Sequence, residues 1–481
     1  MVNEIIGRKK ELELLDKIMA SEKAEFLAVY GRRRVGKTFL IYEYLQSHFV
    51  FSFSGAFEKS KSIQLGNFFR EYLRFTKGNK ETDPPKDWGT AFSYLTDYLY
   101  QKQKQSNQKL VVFIDEMPWL DTPRSGFVAA LEYFWNQHAS KMNQVVLIAC
   151  GSTASWMKKK LLKSKGGLYN RVTRRIKLEP FNLHQTAVFC QAKNLKFSHY
   201  QIIQLYMVMG GIPFYLNELS GGKSVIQLIN EICFSPTGLL TDEYEQLYYS
   251  LFKHAENHVA VIEALSEHPY GLTRKDLLKK SKLPEGGTFN RTLNDLLESG
   301  FILKYLPFQK KQKQSIYRLI DLYSLFYLRF IKGNNDQLQN SWQMLSKAPK
   351  YVAWSGYAYE NICLLHIPQI LKKLGISGTI TQTSSWHHKG NDEMPGAQID
   401  LLIDRNDGVI NLCEAKFSNK EYIISKEYAA KLRRKRAVFE HLTKTKKSVV
   451  TSLISTYPAI QNSHYFSEIH SEVTMEDLFE A

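Results

Sequence analysis

Two sets of residues in this chain have the types and spacing to do chemistry. The first is Gly31-Arg32-Arg33-Arg34-Val35-Gly36-Lys37-Thr38, which fits the P-loop pattern G-x-x-x-x-G-K-[ST] at every position. Glycines at 31 and 36 let the backbone turn tightly, so that successive N–H groups aim at phosphate oxygens. Lys37 would reach the β- and γ-phosphates of a nucleoside triphosphate, and the Thr38 hydroxyl would hold Mg²⁺. The expected nucleotide contact runs from Gly31 through Phe39, with ATP and Mg²⁺ as cofactors. About eighty residues on, Leu110-Val-Val-Phe-Ile-Asp115-Glu116 is an apolar run ending in two carboxylates, the Walker B arrangement. Asp115 would hold the Mg²⁺ through water, and Glu116 would orient and deprotonate the attacking water.

The second set lies near the C-terminus. Gln398-Ile399-Asp400-Leu-Leu-Ile403-Asp404 reads as one strand, Arg405-Asn-Asp-Gly408 as a tight turn, and Val409 to Phe417 as the next strand. An Asp-Gly turn between apolar runs predicts a hairpin. Folding it brings Asp400 near Glu414, and Glu414 and Lys416, two apart, share a face. Two carboxylates converging with a lysine can bind a divalent metal, activate water and stabilise charge on a phosphorane. The same three residues also read as an ordinary cross-strand salt-bridge cluster.

Elements must place these groups. Phe26 to Tyr30 is a short apolar run that predicts a buried strand entering the P-loop, and Thr38 to Leu45 has helical spacing after it. The helix then offers its positive dipole end to the phosphates. Lys77 to Gly89 is a polar loop with two adjacent prolines. A helical stretch to Tyr100 follows, and Gln101 to Lys109 reads as a solvated loop. Val145 to Cys150 is a further apolar strand ending at Gly151-Ser152. Arg171, with Arg174 second, is the arginine placed to reach a phosphate in the same or a neighbouring subunit, although a basic surface loop explains both.

Farther on, Val259 to Leu265 is a helix, Thr273 an N-cap for Arg274 to Lys280, and Thr288 to Glu298 a third helix. Phe301 to Tyr305 and Ser315 to Leu319 pair as strands around the basic tract Gln309 to Gln314. Three helices and a basic-tipped hairpin predict a winged helix-turn-helix whose third helix turns Asn290, Arg291 and Asn294 outward. These could meet DNA, with wing lysines on phosphates. An intramolecular packing or protein-contact module is the equal alternative. Leu322 to Ile331 predicts a docking helix, and Lys332 to Asn340 a linker. Lys431, Arg433, Arg434, Lys435 and Arg436 mark a solvated helix face or a guide for a phosphate backbone.

The chain has 481 residues, room for about three domains. Apolar content of 44% and charged content of 23% suit a soluble globular protein. A net charge of +17 and a pI near 9.3 favour an anionic partner such as nucleic acid, although acidic proteins or solubility account for it equally. Five scattered cysteines without a C-x-x-C pair indicate a reduced, cytoplasmic chain and no zinc site. A polar N-terminus predicts no signal peptide, and the lack of an eighteen-residue apolar run predicts no membrane span.

The Ile6-Gly7-Arg8-x-x-Glu11-Leu12 entry, the P-loop, Asp115-Glu116, the Leu178-Glu-Pro-Phe181 turn and Gly210-Gly211-Ile212-Pro213 together resemble archaeal-type ATPases of the AAA+/STAND division over about residues 1 to 250. That resemblance implies that the entry segment lies across the adenine and that Pro213 packs near the base. It also implies that Ser152 is the sensor touching the γ-phosphate or the water. The Asp400, Glu414-x-Lys416 pattern resembles the PD-(D/E)xK nuclease superfamily, with Ile399 replacing the usual leading proline. That resemblance implies Glu360, on a helix, as a further acidic metal ligand, with Trp386 just ahead of the hairpin.

The expected fold is therefore an α/β P-loop ATPase core over 1–180 and a helical lid over 181–250. A winged helix-turn-helix over 251–320 and a helical linker over 321–345 lead to a restriction-endonuclease-like α/β domain over 346–481. The expected function is nucleotide-gated action on DNA with metal-dependent nuclease activity in the last domain. Lys37, Glu116, Asp400, Glu414 and Lys416 are its catalytic candidates. The alternative is a STAND-like signalling switch or transcriptional regulator whose last domain binds without cutting, and a ligand-sensing defence component is a third reading. The expected partners are DNA and either further copies of the chain or another protein.

Overall fold

Unbroken apolar runs mark strands buried on both faces, as in parallel sheets covered by helices. The computed structural model, which describes residues 5–78, 83–163, 166–333, 341–392 and 394–481, contains three such strands. They are β1 (Glu25–Tyr30), β3 (Leu110–Asp115) and β4 (Val145–Gly151), and every residue of all three is buried. With β2 (Phe49–Ser54) and β5 (Arg174–Lys177) they form one sheet, ordered β2-β3-β4-β1-β5 and parallel throughout. This α/β P-loop sheet belongs to the first of two compact units, Met1–Pro180 with Tyr249–Lys253.

Aromatic side chains fill one face of the sheet: Phe51, Phe68, Trp88, Phe92, Phe127 and Phe134 form a contiguous core. Edge-to-face and stacked pairs such as Trp88–Phe127 and Phe92–Phe134 have centroids 5.0 Å apart. Each such pair adds about 1 kcal/mol beyond area burial. Ser60 and Asp87 cap the helices Lys61–Thr76 and Trp88–Gln105, each accepting from a backbone N–H in the first turn. The second helix runs past Tyr100, so Gln101 to Gln105 is solvated but helical. Lysine and glutamine are good helix formers, and their polarity alone read as a loop.

The second unit comprises Phe181–Tyr248 and His254–Ala481. It opens with the helices Leu183–Ala192, His199–Met209, Pro213–Leu216 and Val225–Phe234. The helices Ala255–Ser266, Arg274–Ser281 and Gly287–Glu298 then carry a small antiparallel sheet, with strands β6 (Leu272–Thr273), β7 (Ile302–Tyr305) and β8 (Ile316–Leu319) in the order β6-β8-β7. Thr273 caps the middle helix, and Asn290, Arg291 and Asn294 lie exposed on the third. The expected docking helix is α-helical over Leu322–Phe326 and continues as a π turn, Tyr327–Ile331. Most of the expected linker after it lies outside the described residues, as does part of the Lys77 to Gly89 loop.

The last part holds a five-stranded mixed sheet. Its strands are β9 (Thr381–His388), β10 (Ala397–Arg405), β11 (Val409–Lys416), β13 (Ser448–Ser455) and β15 (Ser471–Thr474), ordered β15-β13-β11-β10-β9. Strands β12 (Tyr422–Ile423) and β14 (Ala459–Ile460) pair separately. β9, β10 and β11 are antiparallel neighbours, whereas β11, β13 and β15 run parallel. The helix Lys426–Thr443 makes the crossover from β11 to β13, and its Val438 and Phe439 pack on Trp386, Leu402 and Ile410. Gly408, at φ 88°, closes the β10–β11 turn, a conformation that favours glycine.

Candidate functional site

The C-terminal ends of β1, β3 and β4 lie side by side, and ligands of open parallel sheets bind at that edge. The P-loop leaves β1 there. Gly31 has φ 150°, and a Cβ on it would stand 2.2 Å from the Leu178 carbonyl oxygen, so glycine is required for close packing against the chain leaving β5. Gly36 has φ 87°, but nothing lies within 4 Å of its absent Cβ. That glycine keeps open a concavity of the kind a phosphate fills. Lys37, buried at the start of the helix Lys37–Leu45, donates to the carbonyls of Gly31 at 3.1 Å and Arg32 at 2.8 Å.

The Walker B carboxylates meet this loop. The Thr38 hydroxyl donates to Asp115 Oδ2 at 2.8 Å, and the Glu116 N–H to Asp115 Oδ1 at 2.9 Å. Thr38 and Asp115 are thus paired as two oxygen donors on one side of the cradle, and with the open space at Gly36 they fit Mg²⁺ and a triphosphate. Ser152, just past β4, binds Glu116 rather than the P-loop: its hydroxyl donates to Oε1 at 2.5 Å and its N–H to Oε2 at 3.2 Å. Burial pushes the neighbouring Cys150 thiol well up, and Asp115 adds to the effect. That cysteine stays a neutral thiol.

Sequence reasoning did not assign Arg8 a role. Its guanidinium, 5% exposed, donates to the carbonyls of Val35 at 3.1 Å and Glu179 at 2.9 Å, clamping the P-loop to the end of β5. Burial lowers its pKa to about 10, with Glu11 and Glu179 opposing. The arginine of the Ile-Gly-Arg entry was the available signal. Arg171 stands elsewhere. Thr173 pairs its N–H with the Phe26 carbonyl near the start of β1, so Arg171 precedes β5 at the edge of the sheet opposite the P-loop. From Phe26 to Tyr30 the strand alone covers roughly 13 Å. Arg171 therefore lies toward the edge of the sheet away from the P-loop of its own chain. Pro213 lies in the second unit at the first position of the helix Pro213–Leu216. There Gly211, φ 67°, lets the Phe181 carbonyl approach where a Cβ would clash at 2.1 Å.

In the second unit, β10 and β11 pair from Asp404 with Ile410 to Leu401 with Cys413, and Asp400 and Glu414 lie just beyond that pairing, where the register of β10 against β9 shifts between Ile399 and Leu402. Glu360, on the helix Pro349–Leu365, shares a small cavity lining with Asp400. Burial and the nearby Asp400 charge push its carboxyl up to about 7, while Arg318 pulls the other way without cancelling them. Three carboxylates fit a hard divalent cation in kind. Each, however, is already engaged: Glu360 with Arg318 at 3.1 Å, Asp400 with Gln398 at 2.5 Å, and Glu414 with Lys435 and, at 3.0 Å, the Tyr428 hydroxyl. Among the described residues no three His, Cys, Asp or Glu side chains converge as a metal would require. Lys416 places its ammonium 4.8 Å from the Tyr428 ring centroid, and burial lowers its pKa.

A P-loop, a Walker B pair and an all-parallel core define a P-loop ATPase. Residues 5–219 match the family described as an ATPase domain predominantly from Archaea, so the chain carries an archaeal-type ATPase domain and is an ATP-hydrolysing enzyme. An uncharacterized protein of Methanocaldococcus jannaschii is 23% identical over 444 residues, spanning 90% of this chain and 92% of that one. An uncharacterized ATP-binding protein of the same organism is 48% identical over 42 residues, 9% of this chain and 71% of that one. Among solved structures, the Walker-type ATPase of Pyrococcus abyssi is similar at a TM-score of 0.48 and 19% identity, covering 68% of this chain and 96% of that one. Among the described residues no helix is long and apolar enough to cross a membrane.

Proposed function

We propose that ATP hydrolysis in this protein gates action on DNA by a winged helix-turn-helix and a PD-(D/E)xK-like C-terminal domain. Lys37 and the P-loop N–H groups hold the triphosphate, Glu116 takes the proton of the attacking water, and Ser152 orients Glu116. Mg²⁺, held by Thr38 and Asp115, would neutralise charge on the β- and γ-phosphates. Arg171 serves a neighbouring subunit in a homo-oligomer. The basic helix Lys426–Thr443 and the exposed Asn290, Arg291 and Asn294 meet the DNA backbone.

The observation that supports the nuclease reading is the β10–β11 hairpin, which pairs Leu401 with Cys413 and so brings together the two strands that carry Asp400 and Glu414, with Lys416 two residues on. Plasmid and single-strand cleavage in Mg²⁺ or Mn²⁺, with and without ATP, tests it. Cleavage by the wild type that is lost in Glu414→Ala supports the nuclease, and its response to Lys37→Ala shows whether ATP gates it. No cleavage by any protein would sink it. One observation favours the second reading, a switch or regulator that binds without cutting: Glu360 and Glu414 already hold protein cations. Nucleotide-dependent DNA retention without cleavage would select it.

A further inference from the structure

The loop between β7 and β8 does not stand free. The Phe308 N–H donates to the Ser385 carbonyl of β9 at 3.0 Å, and the Gln309 side chain donates to the Thr443 carbonyl at 3.0 Å. The Phe308 ring lies 5.4 Å from that of Phe439 and packs on the core cluster that holds Trp386 and Leu402. Held at these points, the loop forms one wall of a cleft whose other wall is β9 and β10.

That cleft holds about 340 Å³ and lies wholly within the second unit. Pockets that bury a small ligand run from about 300 to 1,000 Å³. Tyr270, Tyr305 and Trp386 give it aromatic walls, and Gln314, Ser385 and Gln398 add polar groups. Trp386 is 7% exposed and packs edge-on against Phe439, whereas Tyr270 keeps 41% of its surface exposed. The backbone at Tyr270 is fixed from both sides. Gly271, φ 84°, packs against the Tyr317 carbonyl where a Cβ would stand 2.3 Å away, and the Tyr305 hydroxyl donates to the Tyr270 carbonyl at 3.1 Å. An aromatic ring so placed is a stacking platform for a planar base.

Charge sets the direction of entry. Arg318, 2% exposed, is already paired: a terminal nitrogen donates to Glu360 at 3.1 Å and its Nε to Asn361 at 2.8 Å. Asp400 in the lining repels a phosphate. Lys310 in the lining is exposed and attracts one, and the exposed Lys311 and Lys313 continue the basic run. A nucleotide therefore enters base first and leaves its phosphate at Lys310. A double helix, whose major groove alone is about 12 Å wide, does not fit so small a space.

We propose that this cleft takes one unpaired nucleotide of a DNA strand, its base on Tyr270 and its phosphate at Lys310, so that the second unit acts on single-stranded or locally unpaired DNA. This role of the cleft rests on the reading that the protein acts on DNA, and it requires no metal at the carboxylates. Every base has a π-face, so the preference is for an unpaired base of any type.

The test is binding of the full chain to oligonucleotides carrying 2-aminopurine, with and without Mg²⁺-ATP. A single strand, a blunt duplex and the same duplex with one unpaired 2-aminopurine are compared. Wild type is expected to bind the single strand and the unpaired site about tenfold or more tighter than the blunt duplex, with 2-aminopurine quenched. Tyr270→Ala should lose the quench and roughly tenfold in affinity for both, leaving duplex binding unchanged. Tyr270→Phe keeps the ring but not the hydroxyl that meets Tyr357, and should behave as wild type. Lys310→Ala should keep the quench but weaken binding, with a salt dependence lower by about one phosphate contact. A blunt duplex bound as tightly as the single strand overturns the cleft and leaves the DNA reading standing. So does a Tyr270→Ala variant that keeps quench and affinity, or a Tyr270→Phe variant as weak as Tyr270→Ala. No binding of any oligonucleotide, with or without ATP, overturns both.

Discussion

Ser152 grips both carboxylate oxygens of Glu116, one through its hydroxyl at 2.5 Å and the other through its backbone N–H at 3.2 Å. Glu116 itself sits at φ 43°, a left-handed conformation that costs a non-glycine residue about 1–2 kcal/mol. Strain and two donors fix one carboxylate position beside Asp115. A base worth roughly 10²–10⁴ in rate depends on such aim. Glu116→Gln is expected to lower the ATP turnover rate by about that factor, with nucleotide affinity unchanged. Ser152→Ala keeps the carboxylate but removes its hydroxyl donor, so the loss should be smaller, about tenfold, and confined to kcat. Phosphate release together with a fluorescent-ATP titration separates the two. A rise in KM with kcat intact would show that Ser152 serves binding instead.

Gly31 and Gly36 should fail in different ways when changed to alanine. At Gly31 the new Cβ would overlap the Leu178 carbonyl oxygen at 2.2 Å, backbone against backbone, so the loop or the end of β5 must shift. Gly31→Ala is therefore expected to cost about 2–3 kcal/mol of stability. At Gly36 only the left-handed strain is paid, about 1 kcal/mol, because nothing lies within 4 Å. The methyl would instead occupy the space left for phosphate, and nucleotide affinity should drop by more than tenfold. Thermal unfolding without nucleotide and ATP titration give the two readings. Equal loss of affinity at small stability cost in both variants would refute the distinction.

Arg8 offers a third comparison. Replacing it by methionine keeps volume but strands the buried Val35 carbonyl and removes the part-buried bond to the Glu179 carbonyl, both made inside the first unit. A buried acceptor left without a donor costs about 1–3 kcal/mol. Arg8→Met should lower the melting temperature of the protein and also weaken ATP binding, because Val35 lies within the loop. Added ATP should recover part of the lost stability by mass action. A variant that melts like wild type would show that the clamp is dispensable.

These outcomes follow how far the sequence could be read. The P-loop, the Walker B strand and the Asp-Gly hairpin were legible because their signals are local: spacing within a few residues fixes the turn, the strand end and the register. Arg171 was expected to reach a phosphate in the same or a neighbouring subunit, and the end of the sheet it stands at could not be read because strand order is not local. Only the pairing of β5 beside β1 shows that it precedes the wrong end of the strand. Arg318 was invisible for a related reason. An arginine between Tyr317 and Leu319 reads as the solvent side of an alternating strand, and nothing nearby announces that Glu360 and Asn361, more than forty residues on, will bury it. Gln101 to Gln105 was misread at the level of propensity, where a polar run in a helix looks like a loop.

Acid and base should act on the second unit through two buried groups of opposite sign. His366 donates from Nδ1 to the Ile362 carbonyl at 2.7 Å and accepts at Nε2 from the Leu183 N–H at 3.0 Å, one of the unpaired donors at the start of the helix Leu183–Ala192. Only a neutral ring can accept there, and burial lowers its pKa to about 4. Since the unfolded ring takes a proton first, this contribution is complete above about pH 6.5. It fades as pH falls toward 4, by about 3 kcal/mol in all. Glu360 has the reverse dependence. Its folded carboxyl is pushed up to about 7, so stability is lost as pH rises from about 4.5 through 7. The two slopes therefore oppose each other across that window, and each variant should expose the slope of the other group. His366→Gln should leave a curve that falls with rising pH, and Glu360→Gln one that rises. Urea unfolding at pH 4.5, 5.5 and 7 measures both slopes. Parallel curves for the two variants would show that neither group titrates as its burial demands.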